Sequence, residues 1–311
     1  MTRTRTLRPA APYDFAAAAR YVAQSAAHVL ETVDQRLTYR RALVLEGRAV
    51  LVSLRSTGSV NAPALEMAVS GEVVDPSQLD AAERFATRVF SLDADPTPFL
   101  ERLAGEPRLR PLAASFGALR PVLLAGAYES LIWAVLGQQV TTRLAATLKR
   151  ALVDRVGREL RLDGTSYALL PDPEAVAALT VDELRQLRLS RQKASYVQGL
   201  SRAVAEGELD LGRVAKLDAQ AAVGALTAHR GVGRWTAECV LMRGLGRSDV
   251  IPAADVALRQ WTGRALGREG LAAEADVRAL ARSVEGYEGW LAFAVWDALQ
   301  RERSGQKVAP Y

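Results

Sequence analysis

Asp255 closes the run Ile251-Pro252-Ala253-Ala254-Asp255, a lone acid among apolar and small residues, 22 residues after Gly233. A carboxylate held on a rigid element and screened from water can face positive charge developing on a substrate and can orient or activate a water. At a helix start the same side chain also serves as an N-cap, which is its plainer role. Upstream, Leu226 to Ala237 carries Gly231-Val232-Gly233 between two helix-forming segments and reads as helix, hairpin, helix. The glycines let the backbone approach a partner, Val232 pins the turn to the core, and the first N–H groups of the second helix point outward, unpaired, toward an anion. That is a phosphate-binding device, although Gly-Val-Gly also occurs in ordinary turns.

Other residue types narrow the chemistry. Cys239 is the only cysteine, so neither an internal disulfide framework nor a cluster of cysteine ligands can form. His28 and His229 are the only histidines, too few and too scattered for a zinc site. Trp235, Tyr21 and Trp296 offer ring faces that attract cations by ~0.5–2 kcal/mol, but Tyr21 and Trp296, at helical spacing, are equally well read as core. Arg230 and Arg234 flank the glycines. The basic stretch Arg185 to Lys193 adds charge, with a solvated helix face as its plainer reading.

The chain of 311 residues has room for two or three packed units. With 24% charged and 49% hydrophobic residues it has the balance of a globular protein, and a net charge of +5 with a pI of about 9.5 favours a polyanionic partner. No apolar run reaches the ~20 residues of a membrane span. No apolar region follows the basic Thr2–Arg8, so the expected location is cytoplasmic.

The elements that must carry these residues come in two blocks. Residues 13–30 pattern as an amphipathic helix, 41–46 and 48–55 as a hairpin turning at Gly47, 64–70 as a third strand, and 81–90 as a helix. Helices on a small antiparallel sheet give an α+β domain over 1–92. The Pro-rich stretch 93–111 lies in a linker and helical segment, 93–125, that joins the C-terminal lobe. From Ala127 onward no strand is evident, and helices are expected over 127–137, 140–156, 173–179, 180–187, 190–206, 219–228, 234–245, 254–266, 274–284 and 289–303. This all-α body divides into 126–245, with the helix-hairpin-helix at 219–245, and 246–311, which carries Asp255.

The segments Pro12-Tyr13-Asp14-Phe15, Leu136-Gly137-Gln138-Gln139-Val140, Gly231 to Ala237 and Ile251 to Asp255 together resemble the helix-hairpin-helix DNA glycosylases, in particular the DNA-3-methyladenine glycosylase II or AlkA type. The likeness covers nearly the whole chain and implies two helical lobes with a cleft between them. It makes Asp255 the catalytic carboxylate, and it surrounds an extruded base with Trp235, Tyr21 and Trp296. Gly231, Val232, Gly233, Arg234, Thr236 and Arg230 become contacts to the DNA backbone. Gln138 and Gln139 occupy the loop that fills the gap left by a flipped nucleotide, unless that loop is simply a solvated turn.

Departures from the family pattern carry their own expectations. Cys239, Val256 and Ala257 stand where the relatives place larger side chains around the base, so a roomier pocket and broader choice are expected. Gln139 replaces an apolar wedge, and Arg230 a common proline. Trp235 stands where strand-cutting glycosylases carry a lysine nucleophile, which implies hydrolysis without strand cleavage. The family can hold a monovalent cation, Na or K, on hairpin carbonyls, here those of Thr227, His229 and Val232. It otherwise needs no cofactor, and the four-cysteine iron–sulfur cluster of some members cannot form.

The resemblance therefore implies a monofunctional glycosylase acting as a monomer on double-stranded DNA with damaged, chiefly alkylated, bases. A non-catalytic helix-hairpin-helix DNA-binding protein and a glycosylase for oxidised bases are the alternatives. Pure binding needs neither Asp255 nor cleft aromatics.

Overall fold

The computed structural model describes residues 1–303 and 305. Thr2–Leu7 alternates Thr with Arg, and its β-branched positions favour extended backbone; it forms an edge strand, β1, which the reading of this segment as merely basic misses. Helix α1 (Phe15–Gln24) starts at Asp14, whose carboxylate accepts from the Ala17 N–H at 2.9 Å. It is shorter than the expected 13–30, because the chain turns after Gln24 to enter a short strand, β2 (Glu31–Val33). Strands β3 (Tyr39–Leu45) and β4 (Arg48–Ser56) make the expected hairpin, with Glu46 and Gly47 at φ 48° and 75°, the left-handed pair a two-residue turn needs. With β5 (Leu65–Ser70) they form an antiparallel sheet in the order β1-β5-β4-β3-β2. Val50, Val52 and Leu54 alternate along β4 and are fully buried, so one face of the sheet belongs to the core.

Helix α2 (Pro76–Phe90) begins five residues before the expected Ala81. Asp75 and Gln78 close a reciprocal capping box around Pro76, a start signal the apolar periodicity alone does not show. The stretch 93–111 is not simply linker. Prolines at the first turns begin α3 (Thr97–Gly105) and α4 (Arg110–Phe116), whose Phe99, Leu103, Leu112 and Phe116 are all buried.

Helices α5 (Ala127–Gly137) and α6 (Thr142–Val156) follow as expected. Then the expectation of no further strand fails, since β6 (Glu159–Leu162) and β7 (Thr165–Ala168) form a hairpin. Its turn, Asp163-Gly164, sits at φ 48° and 76°, and its apolar side chains pack with Ala42 and Leu51 on the outer face of the main sheet. Short helices α7 (Pro173–Ala177) and α8 (Val181–Gln186) lead to α9 (Arg191–Ala205), with the unexpected one-turn α10 (Leu211–Val214) after it. Helices α11 (Ala219–Thr227) and α12 (Arg234–Cys239) frame the hairpin, and α12 runs on into a π turn, Val240–Gly244. The body ends with α13 (Val256–Ala265), α14 (Glu274–Ala281) and α15 (Glu288–Arg303).

One apolar core runs unbroken from the sheet into the helical body. Helix α15 is buried along most of its length; its Trp290 ring stands 5.5 Å from Phe99, tying the last helix to the former linker. A second joint is ionic and wholly buried. Glu129 on α5 accepts from Arg41 of β3 at 2.7 Å and from Lys149 of α6 at 2.5 Å, while Lys149 also donates to the Ala27 carbonyl at 2.9 Å. Arg41 further pairs with Glu31, which bonds His28 at 3.2 Å. Burial alone would raise the pKa of Glu31, but Arg41 and His28 outweigh it and hold the carboxyl below the usual range. No helix among the described residues is long and apolar enough to cross a membrane.

Candidate functional site

The chain leaves α11 and turns through Ala228 to Gly233, where Gly231 adopts φ 94°. A Cβ there would lie 2.4 Å from Cγ of Tyr196, so both the dihedral and the contact with α9 require glycine. Val232 is buried as the pin of the turn. Gly233 is the N-cap of α12 and offers no side-chain cap, so the first amides of that helix stay open to a partner. Arg230 is exposed and lies over the Tyr196 ring at 5.9 Å, while Arg234 is exposed and donates to Glu238 at 3.0 Å. Glu238 is buried and also accepts from Arg278 at 2.8 Å, which fastens α12 to α14.

The Gln138-Gln139 loop sits against this hairpin. Gln138 Nε2 donates to the Gly231 carbonyl at 2.8 Å and to Thr236 Oγ1 at 3.0 Å. Gln138 and the buried Thr236 therefore brace the loop against the hairpin within the protein. Gln139 is the residue that projects: it is exposed and held at φ 55°, a conformation that is strained for a side chain of its kind.

A cleft of about 590 Å³ opens between this loop, the hairpin and the start of α9, bounded there by Arg188, Ser190, Gln192, Lys193 and Tyr196. Lys193 donates to the Leu136 carbonyl at 2.7 Å, and burial lowers its pKa. Sequence reasoning treats this basic stretch as a solvated helix face. Its position opposite the hairpin depends on how α9 packs, which no local pattern reveals.

Asp255 and Trp296 do not line that cleft. Asp255 is half-buried at the N-cap of α13, and its Oδ1 takes three donors: the amides of Ala257 at 3.0 Å and Leu258 at 3.1 Å, and the indole N–H of Trp296 at 3.2 Å. Among the described residues no hydrogen bond reaches Oδ2. The capping role thus occupies one oxygen and leaves the other open.

The aromatic residues separate. Trp296 is half-buried beside Asp255. Trp235 is half-buried and packs over the end of α5, with its Cη2 3.9 Å from where a Cβ on Gly137 would be. Tyr21 is only 4% exposed, with its ring 4.6 Å from that of Phe293, so it takes the core role and has no open face for stacking. Cys239 is buried, and burial together with the charge of Asp255 pushes its thiol well above the usual range, leaving a neutral apolar wall. Val256 is 62% exposed and Ala257 is half-buried, so neither supplies a large side chain near Asp255.

Arg243 is the residue the sequence reading misses. It lies in the π turn with its guanidinium 5.3 Å from the Trp296 ring centroid. The only signal for it is its place eight residues after Trp235, which a regular helix would aim elsewhere.

A sheet-and-helix N-terminal block, a helix-hairpin-helix and a capped carboxylate on the following helix are the parts of a known superfamily of base excision repair proteins. The HhH-GPD superfamily base excision DNA repair model matches residues 132–285, and the AlkA N-terminal domain model matches residues 4–122. The chain belongs to this superfamily and, carrying both regions, to its AlkA type.

It is 36% identical over 169 residues to a DNA-3-methyladenine glycosylase of Bacillus subtilis, an alignment that covers 54% of this chain and 56% of the relative. Against DNA-3-methyladenine glycosylase 2 of Escherichia coli it is 28% identical over 263 residues, covering 82% and 86%. The fold is that of a 3-methyladenine DNA-glycosylase from Archaeoglobus fulgidus, with a TM-score of 0.84 at 24% identity over 96% of this chain and 98% of that one.

Proposed function

We propose that the chain is a monofunctional DNA glycosylase of base-excision repair, which extrudes alkylated bases from double-stranded DNA and removes them by hydrolysis. The observation that carries this reading is the asymmetry of Asp255. Oδ1 is fixed by two amides and an indole N–H, so the carboxylate cannot swing, and Oδ2 is left to face the sugar. As the C1′–N bond lengthens, its electron pair goes to the base and positive charge builds on the deoxyribose. A fixed negative oxygen stabilises that charge and orients the water that attacks C1′. Trp235 supplies no amine, so no covalent intermediate forms, and the product is an abasic site on an uncut strand. The similarity to proteins named DNA-3-methyladenine glycosylase supports alkylated purines as the substrate class and favours this reading over pure binding or oxidised-base repair.

The hairpin and its arginines bind the phosphates, Gln139 fills the vacated position, and the enzyme works as a monomer. The carbonyls of Thr227, His229 and Val232 would hold a monovalent cation between hairpin and phosphate. They fit such an ion as neutral oxygen donors near the C-terminal end of α11, where the helix dipole is negative, although the His229 carbonyl already accepts from the Val232 N–H at 3.1 Å.

Release of free bases from methylated duplex DNA, with strand breaks scored before and after alkali, tests the proposal. Alkylpurines should appear, with breaks only after alkali. Breaks before alkali would make the enzyme a lyase, and binding without release would return Asp255 to a helix cap.

A further inference from the structure

The carboxylate that fastens α12 to α14 is shared unevenly. Glu238 is buried, and its Oε1 takes both guanidinium donors, Arg234 Nε at 3.0 Å and Arg278 Nη2 at 2.8 Å. Oε2 is buried as well and has no hydrogen-bond partner among the described residues. A pair built only to hold two helices together would use both oxygens, since a guanidinium meets a carboxylate best in a two-pronged bond, and an orphaned buried acceptor calls for a reason. The two arginines lead to different places. The Arg234 side chain is 65% exposed in the first turn of α12, beside the open amides of the hairpin. Arg278 reaches the other way, with Nη1 on the Ile251 carbonyl at 3.4 Å. Ile251 opens the irregular turn that ends at Asp255, in which the Ala253 N–H donates to Ile251 and the Asp255 N–H to Pro252, each at 2.8 Å.

We infer that Glu238 is a positioning residue that couples phosphate binding at the hairpin to the placement of Asp255. The inference rests on the glycosylase reading. A DNA phosphate at the start of α12 draws Arg234 off Glu238, because the two anions compete for one exposed guanidinium. The carboxylate then belongs to Arg278 alone. Its second oxygen, empty beforehand, accepts the other prong of the Arg278 fork, Nε with Nη2, and leaves Nη1 to hold the Ile251 carbonyl. The turn into α13 stiffens, and Asp255 Oδ2 is fixed once the substrate backbone is in place. Such coupling is reciprocal, so the hold on Arg278 and the hold on phosphate strengthen together.

The test uses the full chain in two measurements: single-turnover release from a duplex with one 7-methylguanine at saturating enzyme, and titration of an abasic duplex. Glu238→Gln keeps the bulk and removes the charge, and should lower the saturated rate constant about tenfold. Glu238→Gln/Arg278→Met should lie within about threefold of Glu238→Gln, because both changes break one path. Arg234→Met should cost about fivefold more affinity in the Glu238→Gln background than in the wild type, where Arg234 must first leave a carboxylate. A merely structural bond moves the melting temperature and the active fraction, but neither the rate constant of the folded enzyme nor this non-additivity. A Glu238→Gln rate within about threefold of wild type, additive losses in the double variant, or an Arg234→Met penalty equal in the two backgrounds would overturn the inference and leave the glycosylase reading intact. Release of no base by the wild type would overturn both. If Glu238→Gln loses its cooperative thermal transition, Arg278→Gln makes the comparison. It should lower the rate likewise but shrink the Arg234→Met penalty, since Glu238 then holds Arg234 alone, and an unchanged penalty there would also overturn the inference.

Discussion

At the scale of residues, the site rests on groups that each do two things. Asp255 caps α13 through Oδ1 and leaves Oδ2 open, so its capping role is compatible with the proposed catalytic one. Gly231 gives the hairpin its left-handed turn and makes room for Tyr196. Gly231→Ala is expected to cost roughly 1–3 kcal/mol, from the left-handed dihedral and the overlap with the ring. It should also weaken duplex binding, with a denaturant melt and a titration reading the two losses. Wild-type stability with wild-type binding would mean that the turn relaxes freely. The helix-start place of Asp255 and the turn at Gly231 are legible in the sequence because the residue types and order are distinctive, whereas the hydrogen bond from Trp296 to Asp255 is not. The burial of Tyr21 and the bracing by Gln138 and Thr236 are not legible there, because burial and partner choice are settled by residues far away, Phe293 for the first and the facing hairpin for the others. Arg243 is invisible for the same reason, its direction being set by a π turn that periodicity does not encode.

At the scale of elements, most helices of the body fall where their apolar spacing places them, because caps and buried stripes act locally. The missed elements had local signals too: Asp75-Pro76-Ser77-Gln78 before α2, Asp163-Gly164 between β6 and β7, and Thr alternation in β1. These are short or polar, and apolar periodicity passes over them. What local patterns cannot supply is the joint between sheet and body, where Arg41, Glu129 and Lys149 meet from three separate elements. Removing the carboxylate leaves buried Lys149 without a counter-ion and Arg41 with Glu31 alone, so Glu129→Ala should destabilise the fold by about 3–5 kcal/mol. Urea denaturation measures it, and a change below about 1 kcal/mol would show that the joint tolerates an unpaired cation.

At the scale of the whole molecule, buried carboxylates give opposite pH dependences. Glu31 and Glu129 have folded pKa values below their unfolded ones, so their contribution is present above the unfolded pKa and is lost as pH falls through the folded one. Asp297 is opposite in sign. Burial, only partly offset by Arg301, raises its pKa from 3.8 to about 6, so its contribution is present below 3.8 and is lost as pH rises through about 6. Asp297→Asn should therefore gain on the wild type by roughly 1–3 kcal/mol between pH 4 and pH 8 in thermal or urea melts, and a difference independent of pH would contradict this. The same fold that buries these groups brings a hairpin for phosphate and a half-fixed carboxylate onto one basic chain, and the proposed reaction depends on that carboxylate. Single-turnover base release from methylated duplex by Asp255→Asn is the most direct test, since asparagine keeps the capping oxygen and loses only the charge. The rate should fall on the order of 10²–10³-fold, with binding to abasic duplex retained, whereas release at the wild-type rate would contradict the mechanism.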